Sequence, residues 1–426
     1  MSIPVNDTVV DISTKQISHL NIQVKNYSVA DHNYVILNAD KTFLCDDDKI
    51  RRKYNTVIIN PETNKILSIG SPISTPIYYF DSECDDICAS ELVEGSMIYL
   101  FYEERNNAWQ IATSNAVGGN YSYFRNHDPS DTTTTTFLKM VMDAFRETAV
   151  GDSTEQLTIN SISFLRDFDK KYCYGFVLQH PINSMVHPID IPKLFLVSVV
   201  ELHDNNTKNS VCYVPRHEYE SWPCFQNLKD GIIYFPKLYS ADKAVEYYQN
   251  MFSNLQTPKE IMGISIVDNV SGIRSEIINP NYKEAKEIRG NNFNLQFHYL
   301  CLLKINNVHV FLKHFPHYKQ LFTTYKDQLN RFITNLHQVY FHYYISKKLK
   351  RPIHKKYYYH IHQIHRTIYI PSIEKGKKTI IKRSVVASYV ESLQPGQILH
   401  MINFEKTAVS GTMTSHHTEC INPSTI

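Results

Sequence analysis

The chain has 426 residues, 42% of them hydrophobic, and a formal net charge of only +2. Such a length and apolar content supply a large core and point to two domains. The longest strongly apolar run, LFLVSVV at 194–200, is far too short to cross a bilayer, so no membrane partner is expected. The near-zero total hides an asymmetry. Residues 291–405 hold 17 Lys+Arg against 4 Asp+Glu, a balance of +13, and the rest holds 27 against 38, or −11. An acidic body joined to a basic module that meets a polyanion is the expectation. The opening MSIPVNDTVVDIS has no basic segment followed by an apolar core, so no signal peptide is expected. The 8 cysteines form no paired framework, which fits a reducing, cytosolic setting. CDDIC at 84–88 has no second Cys/His pair at zinc spacing, and Cys84 and Cys88 read as free thiols.

In chain order, Arg51, Arg52 and Lys53 read as a charged loop. YNTVIIN at 54–60, the turn-rich PETNK and ILSIG at 66–70 predict a hairpin. MIYLFY at 97–102 and WQIAT at 109–113 flank EERNNA and predict a second hairpin. The threonine run at 131–136 predicts a loop ending in a helix N-cap, ahead of FLKMVMDAFRET at 137–148. Strands are predicted at 174–180, 193–202 and 262–268, and a further helix at 241–255. Beyond about residue 289 the chain turns Tyr-, His- and Lys-rich with few breakers, which predicts helices. The fold class is therefore α+β.

Five stretches stand in a telling order: LVEGS at 92–96, ATSNAVGG at 112–119, FVLQHPINSMV at 176–186, MGISIVD at 262–268, and RSEIINPNY at 274–282 followed by IRGNN at 288–292. Over about two-thirds of the chain they resemble the ATP-dependent RNA ligase family of the bacteriophage type, as found in nucleocytoplasmic large DNA viruses. The resemblance implies a covalent-nucleotidyltransferase, antiparallel β fold over 1–289, a basic α-helical C-terminal domain over 290–405 and a flexible tail over 406–426. In the family a lysine amine attacks the α-phosphate of ATP, a nearby carboxylate recognises the nucleotide or metal, a strand Glu places a divalent cation, and paired lysines neutralise phosphate.

This sequence departs from that pattern at each chemical position. Leu92 stands where the nucleophile belongs, Met262 where the strand Glu belongs, and Glu276 and Ile278 in the slots of the phosphate lysines. Ser114 and Ser184 replace expected basic residues, and no lysine occurs between Lys65 and Lys139. Glu94 and Gly95 persist, with the turn residues around them. Glu94, His180, Asn183 and Arg274 are candidates for residual ligand contact; the plain reading of Glu94 and His180 is a turn carboxylate and a satisfied strand-end imidazole. No catalytic residue, metal site or cofactor is expected, and residual binding of ATP and Mg is left open.

The 347–383 stretch holds twelve Lys+Arg with clustered aromatics. Lys347, Lys348, Lys350, Arg351, Lys355, Lys356, Arg366, Lys382 and Arg383 are the candidate nucleic-acid contacts, phosphate to cation and base to aromatic. The alternative is a solvated face over a Tyr-rich core. His362 and His365 share a helix face, but no Cys or carboxylate accompanies them, so zinc is not expected. The expected function is an RNA-ligase-like protein of a large DNA virus that has lost adenylylation and binds RNA or RNA ends. Two alternatives remain: an active ligase with an unrecognised nucleophile, and a structural virion component. Expected partners are RNA and a viral protein or active paralogue, in the host cytoplasm or the virion.

Overall fold

The computed structural model describes residues 8–29, 31–45, 48–76, 87–122, 135–145, 159–205, 208–226, 232–240, 245–254, 256–269, 273–291, 294–348, 352–376 and 379–404. Cys84, Lys350, Arg351, most of the threonine run and the 406–426 tail lie outside them. The fold is mixed helix and sheet, and the chain divides into two compact units at Glu287/Ile288.

The first unit holds three sheets. The largest has seven strands in the order Thr8–Val9, Lys208–Tyr213, Lys193–Asn205, Tyr172–Gln179, Ser96–Glu103 and Ala108–Ala112, with Ile233–Tyr234 paired to Lys193–Asn205. Leu238–Tyr239, Ile87–Glu91, Gly263–Asp268 and Arg274–Ile278 make a second sheet, and Ile22–Val29, His32–Ala39, Val57–Asn60 and Lys65–Ser68 a third. Both expected hairpins are present, Val57–Asn60 with Lys65–Ser68 and Ser96–Glu103 with Ala108–Ala112. Asn64 and Asn107 carry the positive φ of their turns, a backbone region asparagine tolerates.

Tyr172–Gln179 is buried on both faces, as a central strand must be. Its Tyr174, Phe176 and Leu178 pack with Met140 and Val141 of the Phe137–Phe145 helix, while Cys173 packs with Tyr34, Ile36 and Phe101. Thr136 caps that helix, its Oγ1 accepting from Lys139 N–H at 3.2 Å.

The second unit is helical. Leu295–Lys304 starts at Asn294, whose Oδ1 accepts from Phe297 N–H at 2.9 Å. Lys319–Tyr340 is the longest helix, and it buries Phe322, Leu329, Phe332, Ile333, Leu336 and Tyr340. Spacings of three, four and seven put them on one stripe, and each such side chain contributes roughly 1.5–3 kcal/mol on burial. Lys355–Ile364 and Arg383–Ser392 complete the packing through Ile361, Ile364, Val386 and Val390. Two π-helical turns follow long helices, Phe341–Ile345 and His365–Tyr369.

Candidate functional site

A cavity of about 320 Å³ opens in the first unit, lined by residues of the seven-stranded and second sheets. Leu92, buried at 8% exposure, is part of its wall, and its N–H donates to Gly263 O at 3.0 Å. Met262, Val177, Val197 and Met97 extend the apolar side. Val197 reaches the wall beside Ser198 and Val199 because the strand register shifts between Leu196 and Ser198, a bulge that turns consecutive residues to one side.

Two glycines hold Leu92 in place by close backbone approach. A Cβ on Gly95 would lie 2.5 Å from Leu178 O, and one on Gly263 would lie 2.1 Å from Ile277 O. No side chain fits at either position.

The polar side of the cavity carries Glu91, Asp268 and Glu276 against Arg216 and Arg274, with no lysine among the described residues. Each arginine is held by a carboxylate. Arg274 Nη2 lies 2.9 Å from Glu276 Oε1, and Arg216 Nε lies 2.9 Å from Glu220 Oε2. Each guanidinium is thus partly neutralised, with Arg216 Nη1 and Arg274 Nε buried and without a hydrogen-bond partner among the described residues, while Glu91 and Asp268 add negative charge, which disfavours a polyphosphate. Among the described residues no amine lines the cavity to serve as a nucleophile. Leu92, Gly95, Met262, Glu276 and Arg274 of the sequence candidates meet here.

The other sequence candidates do not. Ser114 lies exposed in the turn closed by Thr113 N–H to Ala116 O at 2.9 Å, and Asn38 Nδ2 donates to its carbonyl at 3.0 Å. Ile278 ends its strand at 43% exposure and lines no part of the cavity. Ser184 donates its hydroxyl to His187 O at 2.7 Å in the loop after Asn183.

Glu94 and Asn183, read from sequence as candidates for ligand contact, are taken up by the fold. The Glu94 carboxylate accepts from Met185 N–H at 2.7 Å, Val186 N–H at 3.0 Å and His187 N–H at 3.2 Å. Gln179 Nε2 donates to Glu94 O at 3.0 Å, so strand end and loop interlock. Asn183 accepts from His180 N–H at 2.8 Å and donates to Leu178 O at 2.8 Å and Ser96 Oγ at 3.1 Å. His180 Nδ1 accepts from Ile182 N–H at 3.2 Å, and Nε2 faces Asp143 at 3.5 Å. Burial holds its pKa below the ordinary imidazole value, against the opposing pull of Asp143.

Arg216, Asp268, Ser198 and Glu91 were missed by the sequence reading. Only the i,i+4 spacing of Arg216 and Glu220 carried a signal, that of a helical ion pair.

In the helical unit, Lys347, Lys348, Lys355 and Arg366 are exposed, and among the described residues no carboxylate pairs with them. Arg383 is exposed as well, and it is hydrogen-bonded within the unit. Its Nε donates to Thr334 Oγ1 at 3.1 Å and its Nη2 to Asn330 Oδ1 at 3.0 Å, fastening its helix to Lys319–Tyr340. Lys356 lies over the Phe332 and Tyr357 rings at 5.8 and 5.9 Å, a half-buried cation–π contact. Lys382 precedes the Arg383–Ser392 helix at its N-cap. His362 and His365 face tyrosines: Tyr344 OH lies 2.5 Å from His362 Nδ1, and Tyr340 OH 3.2 Å from His365 Nδ1. No group of three metal-ligating side chains occurs among the described residues, and no helix is long and apolar enough to cross a membrane.

No family model matches the chain, and no curated protein matches it in sequence. Solved structures do match. The likeness is to ligases. One is an Aquifex aeolicus protein described as a candidate ATP-dependent DNA ligase, 12% identical over 88% of this chain and 85% of that one, with a TM-score of 0.38. Another is an archaeal ATP-dependent RNA ligase, 10% identical over 92% of this chain and 94% of that one, at 0.37. A third is a Naegleria gruberi RNA ligase mutant with ATP and Mn, 10% identical over 48% of this chain and 52% of that one, at 0.32.

Proposed function

We propose that the chain is an RNA-ligase-like protein of a large DNA virus that does not form an adenylated intermediate and that contacts RNA through its helical unit. One observation carries the first half. Leu92 sits in the wall of the cavity where the family's motif order calls for the nucleophilic lysine, and among the described residues no amine lines the cavity. Adenylyl transfer needs a lone pair on nitrogen to form the N–P bond as pyrophosphate leaves, and leucine has none. The carboxylate-bound arginines and the excess acid beside them support the same reading, because the phosphates would meet repulsion rather than neutralisation.

The test is intact mass after incubation with ATP and magnesium, followed by denaturation. No covalent adenylate is expected, either on the natural chain or on Leu92→Lys, which restores the amine but not the phosphate and metal contacts. One adenylate on either protein overturns the reading, and its attachment site names the nucleophile.

RNA contact is supported by the unpaired exposed cations of the helical unit. Binding that weakens steeply with salt is the expected result, since phosphate contacts release counterions. Salt-independent binding, or none, removes the RNA role and favours a packing role in the virion. Proteomics of purified particles tests the viral setting.

A further inference from the structure

Resting on the reading that the helical unit contacts RNA, we infer that the Tyr343–His362–Tyr358 surface is a stacking platform for unpaired bases of single-stranded RNA. The three rings meet across two helices. Tyr358 and His362 have centroids 4.5 Å apart at 67°, and Tyr343 and His362 have centroids 5.7 Å apart at 83°. The imidazole therefore stands edge-on between two tyrosines. Those tyrosines are open to solvent, Tyr343 at 38% and Tyr358 at 55%.

Behind them the rings turn inward. Tyr344 stacks flat on His365, with centroids 3.7 Å apart at 7°, and its hydroxyl meets His362. Tyr340, buried at 1%, closes the base of the cluster through His365. The outer rings thus rest on a fixed support, and a base stacking on them orders little side-chain freedom.

The backbone at the cluster departs from the ordinary α-helix. Ser346 N–H donates to Phe341 O and Ile370 N–H to His365 O, each five residues back, in the two π-helical turns. Such turns insert one residue into a helix and are frequent at functional sites. Here both insertions lie at the same ring cluster.

Charge around the platform fits the ligand. Lys347 and Lys348 follow the first π turn, Lys355 opens the helix that carries Tyr358, and Arg366 lies in the second π turn. Across 341–383 the only acidic side chain is Glu374. Aromatic faces with cations beside them suit a strand whose bases are free, whereas a duplex offers phosphates but no open base faces.

The test is fluorescence anisotropy with a labelled RNA of about 16 unpaired nucleotides, and with the same strand annealed to its complement. Tyr343→Ala/Tyr358→Ala is expected to weaken single-strand binding about 5- to 150-fold with the salt slope unchanged. Duplex binding is expected to move less than about twofold, and Tyr343→Phe/Tyr358→Phe, which keeps both rings, to bind as the natural chain does. Equal losses on single strand and duplex, or no loss on the single strand, overturn the platform while leaving RNA binding by the unit intact. Failure of the natural chain to bind either RNA overturns the underlying reading, and the platform with it. A far-ultraviolet circular dichroism spectrum matching that of the natural chain shows the alanine variant folded; if it is not, the phenylalanine pair against Tyr358→Ala alone decides.

Discussion

In the β-rich unit, Arg105, Arg216 and Arg274 each sit against a carboxylate, whereas in the helical unit Lys347, Lys348, Lys355 and Arg366 have none among the described residues. Glu94 spends its charge on three N–H groups of its own unit, and Asn183 spends its amide likewise. A charge already satisfied within the fold has little left for a ligand, and a solvated unpaired charge keeps its capacity for one. The contrast teaches where to look for binding: at the exposed cations of the helical unit that no carboxylate holds, rather than at Arg383 or Lys356, which the fold uses.

The largest effect that breaks this comparison is expected at Glu94. Glu94→Ala leaves three N–H groups, one buried and two half-buried, without their acceptor, and a loss of roughly 3–5 kcal/mol is expected in urea unfolding. A loss below about 1 kcal/mol contradicts a structural Glu94 and returns it to the ligand candidates. Next comes Arg105→Met. It strands Glu103, which is 1% exposed and 2.9 Å from Arg105 Nη2, and about 3 kcal/mol of stability is expected to go with it.

Acid sharpens the comparison from the other side. Burial holds His298, His360 and His365 of the helical unit below the ordinary 6.5, with Arg289 adding to the effect at His298 and His362 at His365. His180 of the β-rich unit is lowered too. Because these folded-state values lie below the unfolded one, the unfolded chain takes up protons first as pH falls. Stability is whole above pH 6.5 and declines as pH drops through the folded values. The helical unit, with three such groups, is expected to lose more in urea midpoint between pH 7.5 and 5.5, and His298→Gln/His360→Gln to flatten that loss. An equal decline in both units breaks the assignment.

The smallest effect on stability is expected from Lys347→Gln/Lys348→Gln/Lys355→Gln, each change within about 0.5 kcal/mol. The same variant is expected to lower the salt slope of RNA binding by about 2, and an unchanged slope removes these lysines from the interface.

The sequence made some of this plain. Apolar runs around PETNK and EERNNA specified both hairpins, and the scarcity of breakers beyond residue 289 pointed to helices there, of which Lys319–Tyr340 is the longest. The cavity was legible only in part. Leu92 and Met262 were found because motif order marks them, while Arg216 and Asp268 come from a short helix and a strand end, far apart in sequence, that only the fold brings together. Ser114 and Ile278 show the converse limit, since adjacency to a motif does not place a side chain on the cavity face. Arg383 looked like any surface cation, and only its bonds to Asn330 and Thr334 reveal a fastening role.

The paired π turns carry a consequence for how this region tolerates change in length. An α-helix advances about 100° per residue, so each inserted residue rotates everything beyond it by that amount. Deleting one residue from Phe341–Ile345 restores the ordinary ladder but swings Lys347 and Lys348 away from their present side of the helix. The Tyr344–His365 stack then loses its register with the second insertion at His365–Tyr369. Substitutions at single rings test individual contacts, but the facing itself is written in residue count, and an insertion or deletion here is a rotation.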